Sequence, residues 1–271
     1  MIRKPLVDCI NYSYELGELS NSQKQAIITL IEKKGKDKRV TKNWRPISLI
    51  NINAKIISQV LAKRLEKVLP KIIHPSQNAF VKGRSIFDTI RTIDDIVDYT
   101  ERKSWSGFMI AIDFEKAQFD TLDFQFLIRT LHKFNFGPSF IQWMRVLYKN
   151  ASSYVMNNGF TTGPFLLRRG IRQGDPLSLH LFILALETLA IKIREDCNVQ
   201  GLKIGEEMIK LSVFADDMTC VLKDKTSYTN LFRILNCFGE CSGLKVIDEK
   251  TEIMPLGDNI LEEKDFPTQS T

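Results

Sequence analysis

Two adjacent carboxylates interrupt two β-prone runs in Leu211-Ser-Val-Phe-Ala-Asp-Asp-Met-Thr-Cys-Val-Leu222. Val213 and Phe214 lead in, Ala215-Asp216-Asp217 supply a tight turn, and Thr219 to Leu222 lead out, which predicts a β-hairpin. Carboxylates side by side at such a turn repel each other unless a cation lies between them, so a divalent metal is the natural occupant. Solvated turns commonly use the same dipeptide, and taken alone the pair reads as one of them. A third acid changes that. Asp113 ends a similar apolar run, Phe108-Met-Ile-Ala-Ile-Asp113, followed by Phe114-Glu115-Lys116. A carboxylate at a strand exit facing an Asp pair on a neighbouring hairpin can hold two hard cations roughly 3.5–4 Å apart, the arrangement used for in-line phosphoryl or nucleotidyl transfer.

The chain has 271 residues, 44% hydrophobic and 26% charged, enough to bury a large core in one domain with two lobes. Its formal charge is +6, and Lys33, Lys34, Lys36, Lys38, Arg39, Lys42 and Arg45 cluster around the single acid Asp37. Lying between two apolar stretches, that cluster reads as a hairpin tip offered to a polyanion, or else as a solvated face. Cys9, Cys197, Cys220, Cys237 and Cys241 lack metal-ligand spacing and read as reduced thiols of an intracellular protein, cytoplasmic or nuclear. Three scattered histidines give no support to histidine catalysis, and no apolar run is long enough for a membrane span.

Periodicity predicts strands over 25–31 and 44–52 joined by a turn at Gly35. An amphipathic helix follows over 54–69, with Ile56, Ile57, Val60, Leu61, Leu65, Val68 and Leu69 inward and its end near Pro70. A helix over 87–99 should bury Ile90, Ile93, Ile96 and Val97. Beyond the strand opened by Gly107, helices are expected over 122–134 and 139–148, broken at Phe136-Gly137-Pro138. A hairpin turning on Asn158-Gly159 comes next, then helices over 181–194 and 228–241, with Lys250 on a later strand. The tail beyond Gly257 is polar.

Several motifs stand in one order along the chain: Trp44-Arg-Pro-Ile-Ser-Leu49, Gln77-Asn-Ala-Phe-Val-Lys-Gly-Arg-Ser85, Asp113 in I-D-F-E-K-A, Arg172-Gln-Gly-Asp-Pro-Leu-Ser178, F-A-D-D at 214–217, and Ser242-Gly-Leu-Lys245 with Lys250-Thr-Glu252. In that order they resemble the reverse transcriptases of non-LTR (LINE-type) retrotransposons, from about Ser20 to Met254. The resemblance implies an α+β fold with the fingers and palm of a right-hand polymerase, an antiparallel palm sheet packed on helices, and no thumb. It places fingers over 1–105, palm over 106–257 and a polar tail over 258–271. It implies an RNA-directed DNA polymerase, a nucleotidyltransferase using Mg²⁺ or Mn²⁺ on an RNA template, a DNA primer and dNTP, cut from a larger retrotransposon polyprotein. Asp113, Asp216 and Asp217 would hold the metals together with the Phe114 carbonyl, and Lys250 would protonate the leaving pyrophosphate. Arg45, Lys82, Arg84, Phe119, Gln173 and Gly174 would surround the nucleotide.

The sequence also departs from the family pattern. Gln118 is an extra residue in D-F-E-K-A-Q-F-D, Leu179-His180 replaces a Pro-aromatic pair, and Ile247 stands where Asn is usual. A degenerate copy that binds nucleic acid without catalysis stays open on those grounds. So does a metal nuclease, which shares the three acids but has no need of R-Q-G-D-P-L-S.

Overall fold

The computed structural model describes residues 3–114, 121–172, 174–247 and 251–257. In chain order its elements are α1 (Arg3–Leu16), α2 (Asn21–Lys24), β1 (Gln25–Glu32), β2 (Trp44–Ile50), α3 (Ile52–Leu65), α4 (Leu69–Ile72), α5 (Ile86–Arg102), β3 (Gly107–Ile112), α6 (Phe124–Lys133), α7 (Pro138–Tyr148), β4 (Ser152–Asn157), β5 (Phe160–Thr161), β6 (Phe165–Leu166), α8 (Ser178–Glu195), β7 (Leu202–Ile204), β8 (Glu207–Ile209), β9 (Leu211–Phe214), β10 (Asp217–Leu222), α9 (Lys225–Ser242) and β11 (Glu252–Leu256). Helices and largely antiparallel sheets make this an α+β chain. It divides into two compact units, Met1–Glu66 with Phe119–Phe182, and Lys67–Gln118 with Ile183–Thr271.

In the first unit β1 and β2 form a long antiparallel hairpin in which Ile31 pairs with Arg45 and Glu32 with Trp44. Its basic tip is shaped by its own side chains. The Trp44 indole donates to the Lys38 carbonyl at 2.8 Å, Asn43 donates to the Asp37 carbonyl at 2.8 Å, and the Arg39 guanidinium meets Asp37 at 3.0 Å. On its other edge β1 takes β4 in parallel, with Gln25 opposite Ser152. The sheet then turns at Asn158-Gly159, both left-handed at φ 50° and 81°, as a two-residue type I′ hairpin requires. The return strand breaks into β5 and β6, because Thr161 pairs with Met156 but Phe165 with Ser153, leaving one extra residue as a bulge.

The α3 stripe differs from its expected composition. Its buried residues are Ala54, Ile57, Ser58, Leu61, Ala62 and Leu65, while Ile56 and Val60 are exposed. Small residues take the tightly packed side, so counting only large apolar residues rotated the stripe. The helix also stops at Leu65. Pro70 stands in the first turn of the separate helix α4, where a missing N–H costs nothing, and Val68 is exposed.

In the second unit the sheet runs β11-β3-β10-β9, all antiparallel, with Ile112 opposite Met218 and Ala111 opposite both Thr219 and Glu252. The face carrying Phe108, Ile110 and Cys220 is buried, and the Phe108 ring packs tilted against Tyr228 of α9 with centroids 6.4 Å apart. On the opposite face Met109, Val221 and Leu256 pack with Ile96 of α5 and Leu202 of β7. That cover ends before Ala111, which is exposed. Helix α5 buries Thr89, Ile96 and Thr100 and leaves Ile90 exposed, a correction to the expected inward set. Two threonines share the buried face, and Ile90 lies about 100° around the helix from Thr89. Lys210, itself buried, closes the end of α8 by donating to the carbonyls of Ile193, Arg194 and Asp196 at 3.3, 2.8 and 2.7 Å. No helix among the described residues is long and apolar enough to cross a membrane.

Candidate active site

β9 and β10 meet with Phe214 opposite Asp217, so the loop between them is only Ala215-Asp216. Ala215 is left-handed at φ 58° and Asp216 is not. A positive φ at only the first of two central residues is the type II′ pattern, which ordinarily favours glycine there. Extending the β3–β10 register one pair beyond Ile112–Met218 brings Asp113 opposite Asp217. Side chains alternate along a strand, so both acids share the face of Ala111 and Thr219, at the end that α5 leaves uncovered. Asp216 and Asp217 are exposed and Asp113 is half-buried. Partial desolvation raises the Asp217 carboxyl above the ordinary carboxylate value, and repulsion from Asp216 and Asp113 pushes it the same way. Asp217 is therefore the carboxyl that senses both of the others.

Phe114 is buried and forms a lone antiparallel bridge with Val246, while the Ile247 amide donates to the Asp113 carbonyl at 2.8 Å. The chain leaving Asp113 is thus fixed by the segment after α9. Three carboxylates and a main-chain carbonyl are hard oxygen donors, the chemistry a magnesium or manganese ion takes. As the side chains stand, no three His, Cys, Asp or Glu residues among those described form a ready ion cage.

Loop 73–85 is tied to this hairpin. Val213 donates to the Ser76 carbonyl at 2.7 Å and Asn78 donates to the Val213 carbonyl at 2.9 Å, so Gln77 adds a parallel bridge to β9. Gln77 is 2% exposed, and its Oε1 accepts from the amides of Ala79 and Ala215 at 2.9 and 3.1 Å. Arg84 shapes the loop from within. Its Nη1 donates to the carbonyls of His74 and Gln77, both at 2.7 Å, and its Nη2 to that of Ile73 at 2.8 Å. Arg194 of α8 pairs with the buried Glu187 and donates to Ser76 Oγ at 3.1 Å. Burial raises the Glu187 carboxyl, and Arg194 opposes that rise. Lys82 is exposed on the same loop. Gln77 was legible only as the first residue of its motif, since an uncharged amide carries no signal of its own.

Arg45 and Gly174 belong to the first unit. Arg45 is exposed on β2. Gly174 is left-handed at φ 95°, and a Cβ there would meet the Ser48 carbonyl at 3.0 Å, so close backbone passage demands glycine. The surrounding loop is bonded internally. Asp175 accepts from Ser58 Oγ and from the Leu177 amide, both at 3.0 Å, Ser178 Oγ donates to the Arg172 carbonyl at 2.8 Å, and Arg172 Nη2 donates to the Lys24 carbonyl at 2.6 Å. Burial raises the Asp175 carboxyl against those bonds. His180, one of the departures from the expected motif, is buried. Gln118, Phe119, Gln173 and Lys250 lie outside the described residues.

Residues 31–263 match the family model described as reverse transcriptase (RNA-dependent DNA polymerase). The chain is 39% identical over 212 residues, 78% of its length, to a transposon TX1 uncharacterized 149 kDa protein of Xenopus laevis. It is 28% identical over 191 residues, 70% of its length, to a retrovirus-related Pol polyprotein from a type-1 retrotransposable element R2 of Popillia japonica. Those stretches are 16% and 26% of the two relatives, so the chain spans a minor part of each. Among solved structures, apo telomerase from Candida Tropicalis truncated from its C-terminal domain superposes with a TM-score of 0.61 at 16% identity, over 97% of this chain and 56% of that one. That likeness is one of fold. By motif order, by the family match over most of its length and by its relatives, the chain belongs to the reverse transcriptase (RNA-dependent DNA polymerase) family, as a domain of the non-LTR retrotransposon kind.

Proposed function

We propose that this chain carries the nucleotidyl-transfer site of an RNA-directed DNA polymerase, extending a DNA primer on an RNA template with dNTP. The observation that carries the reading is the placement of Asp113 opposite Asp217, with Asp216 beside them, at the uncovered end of the β3–β10 face. In this assignment the sheet β11-β3-β10-β9 is palm and the β1–β2 hairpin is fingers. Asp113 and Asp216 would hold two Mg²⁺ or Mn²⁺ ions, with Asp217 and the Phe114 carbonyl in support. Such ions, when bound, lower the pKa of a primer 3′-hydroxyl and neutralise a triphosphate. A primer end would lie beside the acids, over the small side chains of Ala111 and Thr219 on the same face. Arg45 and Lys82 are exposed cations of the types that meet triphosphate oxygens, Arg as a fork and Lys as a point charge. Gly174, Phe119, Gln173 and Lys250 keep the nucleotide and proton-donor roles proposed on family grounds. The remainder of a retrotransposon polyprotein is the proposed partner.

Primer extension on an RNA template with labelled nucleotide tests the reading. The chain should extend the primer, and Asp113→Asn should lower the rate at least a hundredfold while keeping the fold. A folded wild type with no extension would overturn it, and degradation of substrate without nucleotide would point to a nuclease. The extra Gln118 favours a second reading, a copy that binds nucleic acid but does not catalyse. Deleting Gln118 should then raise extension, and equal activity in the two proteins would remove that reading's main support.

A further inference from the structure

We propose that Gln77 is the positioning residue of the Asp216–Asp217 turn, acting through the backbone of Ala215 and touching no reactant. The kinetic consequence rests on the polymerase reading, whereas the hold on the turn does not. Ala215 occupies the left-handed region at φ 58°, where a Cβ is disfavoured and glycine is the usual solution. Such a conformation persists only when its surroundings over-determine it. Gln77 does so from a buried position, its Oε1 accepting the Ala215 amide at 3.1 Å and the Ala79 amide at 2.9 Å. Ala79 is buried, so its amide would be orphaned without that acceptor, and the half-buried Ala215 would lose the bond that holds its amide in place.

The side chain itself cannot drift. Main-chain bonds on either side of it, from Val213 to Ser76 and from Asn78 to Val213, lock the loop to β9, and Arg84 Nη1 holds the Gln77 carbonyl at 2.7 Å. Rotating Ala215 out of the left-handed region would swing the peptide into Asp216 and re-aim both carboxylates. The site therefore takes its aim from an uncharged amide on a separate loop. Glutamine suits the task because asparagine would fall one carbon short. Methionine would fill the space without an acceptor, and glutamate would keep the acceptor.

The test uses the whole chain with Gln77→Met and Gln77→Glu, and reads amide hydrogen exchange at Ala215 against Ile110 in β3, together with kcat and nucleotide KM in primer extension. In Q77M, exchange at Ala215 should accelerate at least tenfold with Ile110 unchanged. The kcat should fall tenfold or more while KM stays within about twofold. Q77E should keep Ala215 slow, and adding Ala215→Gly to Q77M should recover part of kcat, because glycine takes the left-handed conformation unaided. If Q77M does not fold, Q77N carries the same expectations. Unchanged Ala215 exchange in the variant overturns the proposal, as does faster exchange with kcat intact. A wild type that extends no primer defeats the polymerase reading, and the exchange comparison then still decides whether Gln77 holds the turn.

Discussion

Replacing Asp217 with asparagine should make this protein more stable, because the acid cluster is a site of repulsion in the folded chain. Asp217 stands opposite Asp113 in the extended β3–β10 register and next to Asp216. Opposed side chains on antiparallel strands have Cβ atoms about 5 Å apart, so their charges lie roughly 6 Å apart. At that distance a like-charge pair in water-like surroundings costs about 0.7 kcal/mol, and two such pairs cost about 1.4 kcal/mol. Asp217 meets solvent, so screening roughly halves that figure at physiological salt. Asp217→Asn should gain about 0.5–1 kcal/mol at pH 7 with chelator present, a rise in Tm of roughly 1–3 °C for a chain of this size. The pH dependence has a definite sign. The folded carboxyl lies above its unfolded value, so the folded state binds the proton more tightly and the wild type loses stability as pH rises through that interval. The advantage of the variant should be absent near pH 3, open as pH rises through the carboxylate range, and shrink in 1 M salt, where the Debye length is about 3 Å. Thermal melts across pH and salt decide it. An advantage equal at pH 3 and pH 7, or no advantage at low salt, would refute the electrostatic account.

Lys210→Met should cost about 2–3 kcal/mol in urea unfolding, because three carbonyls at the end of α8 lose a charged donor aligned with the helix dipole. Arg84→Lys should quicken proteolysis within 73–85, since a lysine cannot reach three carbonyls at once, and a cleavage rate equal to wild type would make the fork dispensable. Changing Lys34, Lys36 and Lys38 to glutamine should lower the log–log salt slope of RNA binding by roughly 0.7–0.9 for each phosphate that the tip no longer neutralises, and an unchanged slope would make the hairpin tip a solvated face.

Strands and tight turns were the most readable parts of the sequence, because their signals are local. Asn158-Gly159 announces a type I′ turn, and the apolar runs before Asp113 and around Asp216-Asp217 match β3, β9 and β10 within a residue or two. Helical stripes read less well wherever close packing favours small side chains. Ala54, Ser58 and Ala62 in α3 and Thr89 and Thr100 in α5 occupy buried positions that hydropathy assigns elsewhere. Turns of positive φ were legible at glycine and asparagine but not at Ala215, where conformation is set from outside by Gln77. Arg84 shows the converse difficulty, a cation in a motif whose charge is turned toward its own backbone. The parallel pairing of β1 with β4 had no local signature at all, since its partners are remote in sequence.

That remote pairing bears on how the protein is made. A ribosome adding roughly 5–20 residues per second finishes the β1–β2 hairpin long before β4, whose pairing begins roughly 125 residues later. For something like 6–25 s one edge of β1 waits unpaired on the nascent chain, carrying Ile27, Ile28 and Leu30, an apolar strand of the kind that recruits other strands. Slowing translation between Asn51 and Ala151 should therefore lower soluble yield, and a holdase chaperone should restore it, whereas the same delay placed after Asn157 should have little effect on this sheet.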